Sequence, residues 1–243
     1  AKVTDYTYNT KGNYQPVFRA TDDQGLTSQS TVAVQVLPSD QAETGVFSDK
    51  QTGEMPLKVS FAGYAFQEHA LAESNGSLSS EWQLPAYMPE NLEGDWKIEN
   101  GILRQTSNDG SSDSDLYYGT YLLSGNSTWS DYALKVNFKA EDDDSLGLIF
   151  RYANETQYYL FSLKKKKNER RLYKRTPNGL EELAADNTPY QTGTWYELEI
   201  KAFADNLQVY VDGKKIFDVT DDSYSEGKFG LWCNYNSDAY FND

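Results

Sequence analysis

Residues 129–152 read WSDYALKVNFKAEDDDSLGLIFRY. Two runs of alternating apolar residues flank an acidic break, and alternation with period two is the mark of a half-buried strand. In the first run Tyr132, Leu134, Val136 and Phe138 share one face; in the second, Leu146, Leu148, Phe150 and Tyr152 do. The break Glu141-Asp142-Asp143-Asp144 continues neither pattern, so the segment predicts two antiparallel strands joined by an acidic turn. The pattern repeats outward from this pair. YYLFSL contributes Tyr159, Phe161 and Leu163, and TWYELEI contributes Tyr196, Leu198 and Ile200. WKIENGILRQT, DLYYGTYLL, RRLYKRT, LQVYVDGKKIFDV and KFGLWCNY read as further strands. Asn100-Gly101, Asp109-Gly110, Asn178-Gly179 and Asp212-Gly213 are turn dipeptides between them. Roughly nine or ten antiparallel strands in about 150 residues predict an all-β, two-sheet antiparallel sandwich. A short helix is expected around residues 68–73, stopped by Asn75-Gly76.

The 243-residue chain has room for one large or two unequal domains. Its 19 Tyr, 11 Phe and 5 Trp, with Asn, Asp and Gly at the breaks, suit an all-β protein. Cys233 is the single cysteine, so no internal disulfide forms; beside Leu231 and Trp232 it reads as a buried apolar residue. His69 is the single histidine, which excludes His-rich metal sites and removes most His-based acid/base mechanisms. No apolar run approaches the roughly 20 residues that cross a bilayer. A formal net charge of −15 argues against nucleic acid as the main partner.

Residues 1–37 also alternate, then Pro38 and the polar run PSDQAETG interrupt the pattern. GNYQPVFRATDDQGLTSQSTVAVQVL resembles the C-terminal half of a polycystic-kidney-disease (PKD) type domain, an immunoglobulin-like sandwich. The shared pattern is Gly-x-Tyr, an alternating strand, Asp-x-x-Gly and a Val-rich last strand; Asp22 and Asp23 fall in its turn. Residues 1–38 are therefore read as a partial PKD-like module, 39–54 as a linker and 55–243 as the main domain. The main domain resembles the concanavalin-like or laminin-G-like jelly rolls of bacterial carbohydrate-binding modules and of the thrombospondin C-terminal domain. WKIENGILRQ, residues 129–152, GTWYELEIKA, LQVYVDGKKIFD, GKFGLW and the terminal YFND carry that resemblance. It implies a jelly-roll fold, polysaccharide as the ligand and a secreted or cell-surface location. It also implies a non-catalytic accessory role beside a catalytic domain in the same parent chain. The chain itself is read as a monomeric C-terminal fragment. An adhesion domain, a glycoside hydrolase and a plain spacer are the rival readings.

Residues 164–175 place eight of the 22 Lys and Arg within twelve residues of an acidic protein. Such a cluster either solvates a hairpin and guards an edge or meets an anionic partner. Alternation puts Arg151, Tyr158, Ser162, Lys164, Arg171, Tyr173, Arg175, Trp195 and Trp232 on outer faces, away from the core set. Aromatic rings stack on sugar C–H faces, and Arg grips carboxylate or sulfate bidentately. Arg151, Tyr158, Lys164, Arg171, Tyr173, Lys174, Arg175 and Trp232 are thus the expected binding residues, and an anionic polysaccharide is the expected ligand. The resemblance further implies a structural Ca²⁺ held by Asp142, Asp144 and Asp243. Asp109, Asp113 and Asp115 form a second acidic loop. Glu197 and Glu199 stand two apart on an outer face, but the Glu-x-Asp-x-x-Glu strand of hydrolases on this fold is missing, as are a nucleophile elbow and a phosphate loop.

Overall fold

The computed structural model describes residues 71–72, 77–86, 92–111 and 119–242, together with the backbone of six strands ahead of them. The chain divides into two compact units, Ala1–Asp49 and Lys50–Asp243. In the first, β1 (Gly12–Tyr14) pairs antiparallel with β4 (Val34–Val36), and β2 (Val17–Thr21) with β3 (Thr27–Thr31). The expected single strand GNYQPVFRA is therefore two strands, with Pro16 between them; proline has no N–H to give to a ladder.

The second unit is all-β, a jelly-roll-like sandwich of two antiparallel sheets, with no helix among the described residues. Its strands are β5 (Leu57–Phe61), β6 (Gln67–His69), β7 (Trp96–Glu99), β8 (Ile102–Gln105), β9 (Thr120–Ser124), β10 (Tyr132–Ala140), β11 (Ser145–Asn154) and β12 (Gln157–Lys164). They continue with β13 (Glu169–Thr176), β14 (Gly179–Asp186), β15 (Tyr196–Phe203), β16 (Asn206–Val211), β17 (Lys214–Thr220), β18 (Lys228–Asn234) and β19 (Ala239–Asn242). One sheet has nine strands, in the order β17-β16-β15-β10-β19-β8-β7, with β5 on β10 and β6 on β5. The other has six, in the order β14-β13-β12-β11-β18-β9.

The acidic break does turn the chain, but from one sheet into the other: β10 lies in the nine-stranded sheet and β11 in the six-stranded one. The helix expected at 68–73 is replaced in part by β6, whose His69 lies opposite Leu57. Asn100-Gly101 (φ 54° and 79°) and Asp212-Gly213 (φ 50° and 71°) close two-residue hairpins with both central residues left-handed. That is the type I′ geometry for which Asn-Gly and Asp-Gly are favoured. Asp109-Gly110 makes no hairpin. Asp109 instead accepts Tyr235 N–H at 2.9 Å on its carbonyl and Gly94 N–H at 3.1 Å on its carboxylate.

The core lies between the sheets. Tyr132, Leu134, Val136 and Phe138 of β10 meet Leu146, Leu148, Phe150, Tyr159, Phe161 and Leu163 of the facing sheet, all buried. Tyr152 departs from the expected alternation. Arg151 adopts φ 48°, and the pairing of β11 with β12 shifts between Phe150 and Asn154. The irregularity moves Tyr152 out of the intersheet core into a second apolar cluster with Tyr121, Leu123, Ile149, Tyr158, Leu160 and Trp232.

Candidate functional site

The outer face of the six-stranded sheet carries a row fixed by register. Trp232 lies opposite Gly147, Gly147 opposite Ser162, and Ser162 opposite Arg171. Their strand neighbours Leu231, Cys233, Leu146, Leu148, Phe161, Leu163 and Leu172 all point into the core, so the row faces outward. Gly147, Ser162 and the indole of Trp232 are buried, so in this row the guanidinium of Arg171 is the partly accessible group. The next row adds Tyr173, opposite Leu160 on one side and Glu182 on the other.

Arg171 is held flat by four acceptors. Its guanidinium faces Glu182 at 3.1 Å and Glu169 at 3.3 Å and donates to the carbonyls of Arg170 (3.0 Å) and Asp186 (2.7 Å). Two carboxylates anchored on one guanidinium keep lone pairs for outside donors, and a planar fork fixes their positions. Beside them Lys164 pairs with Asp144 at 3.0 Å, both side chains mostly buried. Arg171, Glu169 and Glu182 thus set donors and acceptors side by side, a chemistry suited to hydroxyl groups.

The basic tract carries far less free charge than its composition suggests. Lys164 and Lys166 face Asp144 at 3.0 and 3.7 Å, and Arg170 Nε reaches both oxygens of Asp186 at 2.9 and 3.1 Å. Lys174 bridges Asp221 at 3.0 Å and Glu181 at 3.2 Å, while Lys165 donates to Thr192 Oγ1 at 3.0 Å.

Five of the expected binding residues, Arg151, Tyr158, Lys164, Arg175 and Trp232, are buried. Arg151 is 0 % exposed and Arg175 1 %. Arg151 donates to Tyr224 O at 3.0 Å and to Ser130 O at 3.3 and 3.4 Å, which ties two loops to β11. Its backbone N–H donates to Tyr132 Oη at 2.6 Å. Tyr158 and Trp232 sit on the expected outer face but are 2 % and 0 % exposed, within the second cluster. Alternation assigns a side to each residue, not its cover. At the Trp232 end, Ser111 N–H donates to Asn234 Oδ1 at 2.9 Å, which holds Ser111 against the strand carrying the indole. Arg171, Tyr173 and Lys174 remain as the partly accessible members.

Asp142, Asp143 and Asp144 gather carboxylate oxygens within 4.8 Å of one another. Asp142 accepts Ser237 N–H (2.9 Å) and Oγ–H (2.7 Å) on one oxygen and Asp143 N–H (2.6 Å) on the other. Burial opposes its ionisation, but the bonds from Ser237 and from the Asp143 and Asp144 N–H groups together prevail and hold its pKa below the usual carboxylate value. Calcium asks for roughly six to eight oxygen ligands. Here Asp142 already accepts N–H and O–H donors and Asp144 faces two ammonium groups, which would compete with a cation for the same oxygens. Asp243, Asp113 and Asp115 lie outside the described residues. On the other sheet Glu197 pairs with Lys135 at 3.0 Å and Glu199 with Lys201 at 3.7 Å.

Asp221 shows how tightly the tract is bound into the domain. Burial pushes its pKa up, but bonds from Tyr159 Oη (2.6 Å), the Ser223 backbone N–H (3.0 Å) and Lys174 (3.0 Å) prevail and lower it to about 2. A depressed carboxyl contributes stability that is present above its unfolded value, about 3.9, and lost as pH falls through the folded one. Asp221→Asn is expected to lower unfolding free energy at pH 7 by about 2 kcal/mol. It should also flatten the acid limb of stability between pH 4 and 2, read by urea titration across pH. Parallel wild-type and variant profiles there would contradict this network.

Comparison with known proteins adds the family. The profile of the 3-keto-alpha-glucoside-1,2-lyase-like domain matches residues 70–243. Levanase of Bacillus subtilis (strain 168) is 27 % identical over 160 residues, 63 % of this chain and 23 % of that protein, so the chain spans less than a quarter of it. Among solved structures, carbohydrate binding module CBM66 from Bacillus subtilis is similar at TM-score 0.55 and 23 % identity, covering 67 % of this chain and 92 % of the module. A prokaryotic beta-1,3-1,4-glucanase (lichenase) from a mouse hindgut metagenome is similar at TM-score 0.50 and 15 % identity, covering 70 % of this chain and 94 % of that one. These two likenesses show the sandwich fold.

Proposed function

We infer that this chain, which belongs to the 3-keto-alpha-glucoside-1,2-lyase-like domain family, is a non-catalytic carbohydrate-binding domain that holds a neutral polysaccharide on the outer face of its six-stranded sheet. Arg171, the partly exposed end of the outward-facing row, with Glu169 and Glu182 anchored on its guanidinium, carries this reading. Sugar hydroxyls would donate to the two carboxylates, while Tyr173 offers a ring to a C–H face. Internal ion pairing of the tract shifts the preference from an anionic glycan to a neutral one. The likeness to levanase and to a carbohydrate binding module supports the sugar class and makes levan the first probe. In a parent chain such a domain would raise the local concentration of a catalytic neighbour on its polymer. Residues 1–38, read as a PKD-like module, would serve as a spacer in a secreted or cell-surface protein.

Affinity electrophoresis through gels of levan, a neutral glucan and an anionic polysaccharide, at low and high salt, tests this. Retardation by a neutral glycan that survives high salt is expected. Retardation by the anionic gel alone, lost on screening, would restore the anionic reading. A second reading follows from the family's description. If Glu169 and Glu182 act on substrate rather than only hold it, incubation with a 3-keto-alpha-glucoside will release products over time, and Glu182→Gln will stop the release.

A further inference from the structure

We propose that Trp195, Lys139 and Glu141 form a second saccharide subsite, on the nine-stranded side of the same rim, that takes a further ring of the polymer bound at the Arg171 row; this rests on the reading above. Trp195 is 41 % exposed. Lys139 Nζ stands 5.7 Å from the indole centroid, 4.2 Å from the Tyr240 ring and 2.8 Å from Glu141 Oε1. Glu141 and Tyr240 thus fix the ammonium beside the indole. The second oxygen of Glu141 faces the turn that presents Trp195: a Cβ on Gly193 (φ 74°) would come within 3.4 Å of Oε2. That turn is anchored by Gly193 N–H to Ala140 O (2.9 Å), Thr194 N–H to Gln191 O (3.3 Å) and Gln191 N–H to Tyr196 Oη (2.9 Å). An aromatic surface, a fixed donor and a fixed acceptor therefore meet at one place.

That chemistry selects a sugar over an apolar protein surface. Covering the indole with apolar side chains would strand an ammonium and a carboxylate without water. A saccharide ring brings C–H groups to the indole and hydroxyls to Lys139 and Glu141. The rim also connects the two places. Asp144, partner of Lys164, lies on the same turn as Glu141, and Lys165 donates to Thr192 Oγ1 at 3.0 Å, joining the hairpin beside the Arg171 row to the turn of Trp195. A chain crossing the end of the sandwich meets both.

Levan and its shortest retained oligosaccharide, titrated by calorimetry against wild type and Trp195→Ala, decide the matter, with thermal melting to confirm the fold. Trp195→Ala is expected to weaken the polymer about tenfold and to leave the short fragment unchanged, and Trp195→Phe to restore part of the loss. If wild type binds levan and Trp195→Ala binds it equally, the second subsite is refuted and the Arg171 row stands. Equal loss for polymer and fragment would place Trp195 outside any separate subsite. If wild type binds neither levan nor its fragment, both readings fall together.

Discussion

Arg151→Met is expected to lower the unfolding free energy by about 3 kcal/mol, because each buried acceptor left unpaired costs about 1–3 kcal/mol. The side chain is fully buried, and its guanidinium serves the carbonyls of Ser130 and Tyr224. Asp131, 3.6 Å away, is 45 % exposed at its side chain and finds water when the arginine is gone, so the loss falls on the carbonyls and on packing. Methionine keeps most of the volume and so separates the hydrogen bonds from a cavity effect. Urea unfolding of wild type and variant measures the difference. A loss below about 1 kcal/mol would mean that water replaces the guanidinium at both carbonyls. Sugar retention by the folded variant should be unchanged, since Arg151 points into the loops and not onto the Arg171 row.

Arg171→Ala should separate the same two properties in the opposite sense. Its side chain is 18 % exposed, with Glu169 at 17 % and Glu182 at 51 %, so these partly screened pairs contribute on the order of 1 kcal/mol each. Stability should therefore fall less than in Arg151→Met. Retention by levan should fall tenfold or more, about 1.4 kcal/mol or above, because Glu169 and Glu182 lose the fork that orients them. Arg171→Lys keeps the charge without the planar geometry and should rescue only part of the binding. Unchanged retention in Arg171→Ala would remove the row from the binding site, whatever the wild-type affinity.

Much of the sandwich is legible in alternation alone. Tyr132 to Phe138, Leu146 to Phe150 and Tyr159 to Leu163 face the core as the pattern predicts, because one slipped residue would turn each set to water. The misses have local causes. Tyr152 follows a left-handed residue, and β6 forms where Glu68 and His69 suggest a helix start but β5 supplies a ladder. The site is harder to read because its meaning depends on partners distant in sequence. GLEELAAD does not announce itself as a strand, yet β14 brings Glu181, Glu182 and Asp186 to Lys174, Arg171 and Arg170. Loops supply Asp144 and Asp221. A basic run seen alone looks like a cationic patch; with its register known, it is mostly neutralised. Trp232 and Tyr158 teach the complementary lesson, since a strand's outer side can hold a second apolar cluster.

The position of β19 bears on how the domain is made. Residues 239–242 lie between β10 and β8, with Phe241 opposite both Phe138 and Leu103. A ribosome releases β7, β8 and β10 long before the strand that joins them. Until residue 242 emerges, the nine-stranded sheet exists as two pieces with facing unpaired edges, a state prone to association with other chains. Final closure therefore waits for the end of synthesis of this segment, and the many distant pairings place refolding among the slow, millisecond-to-second class.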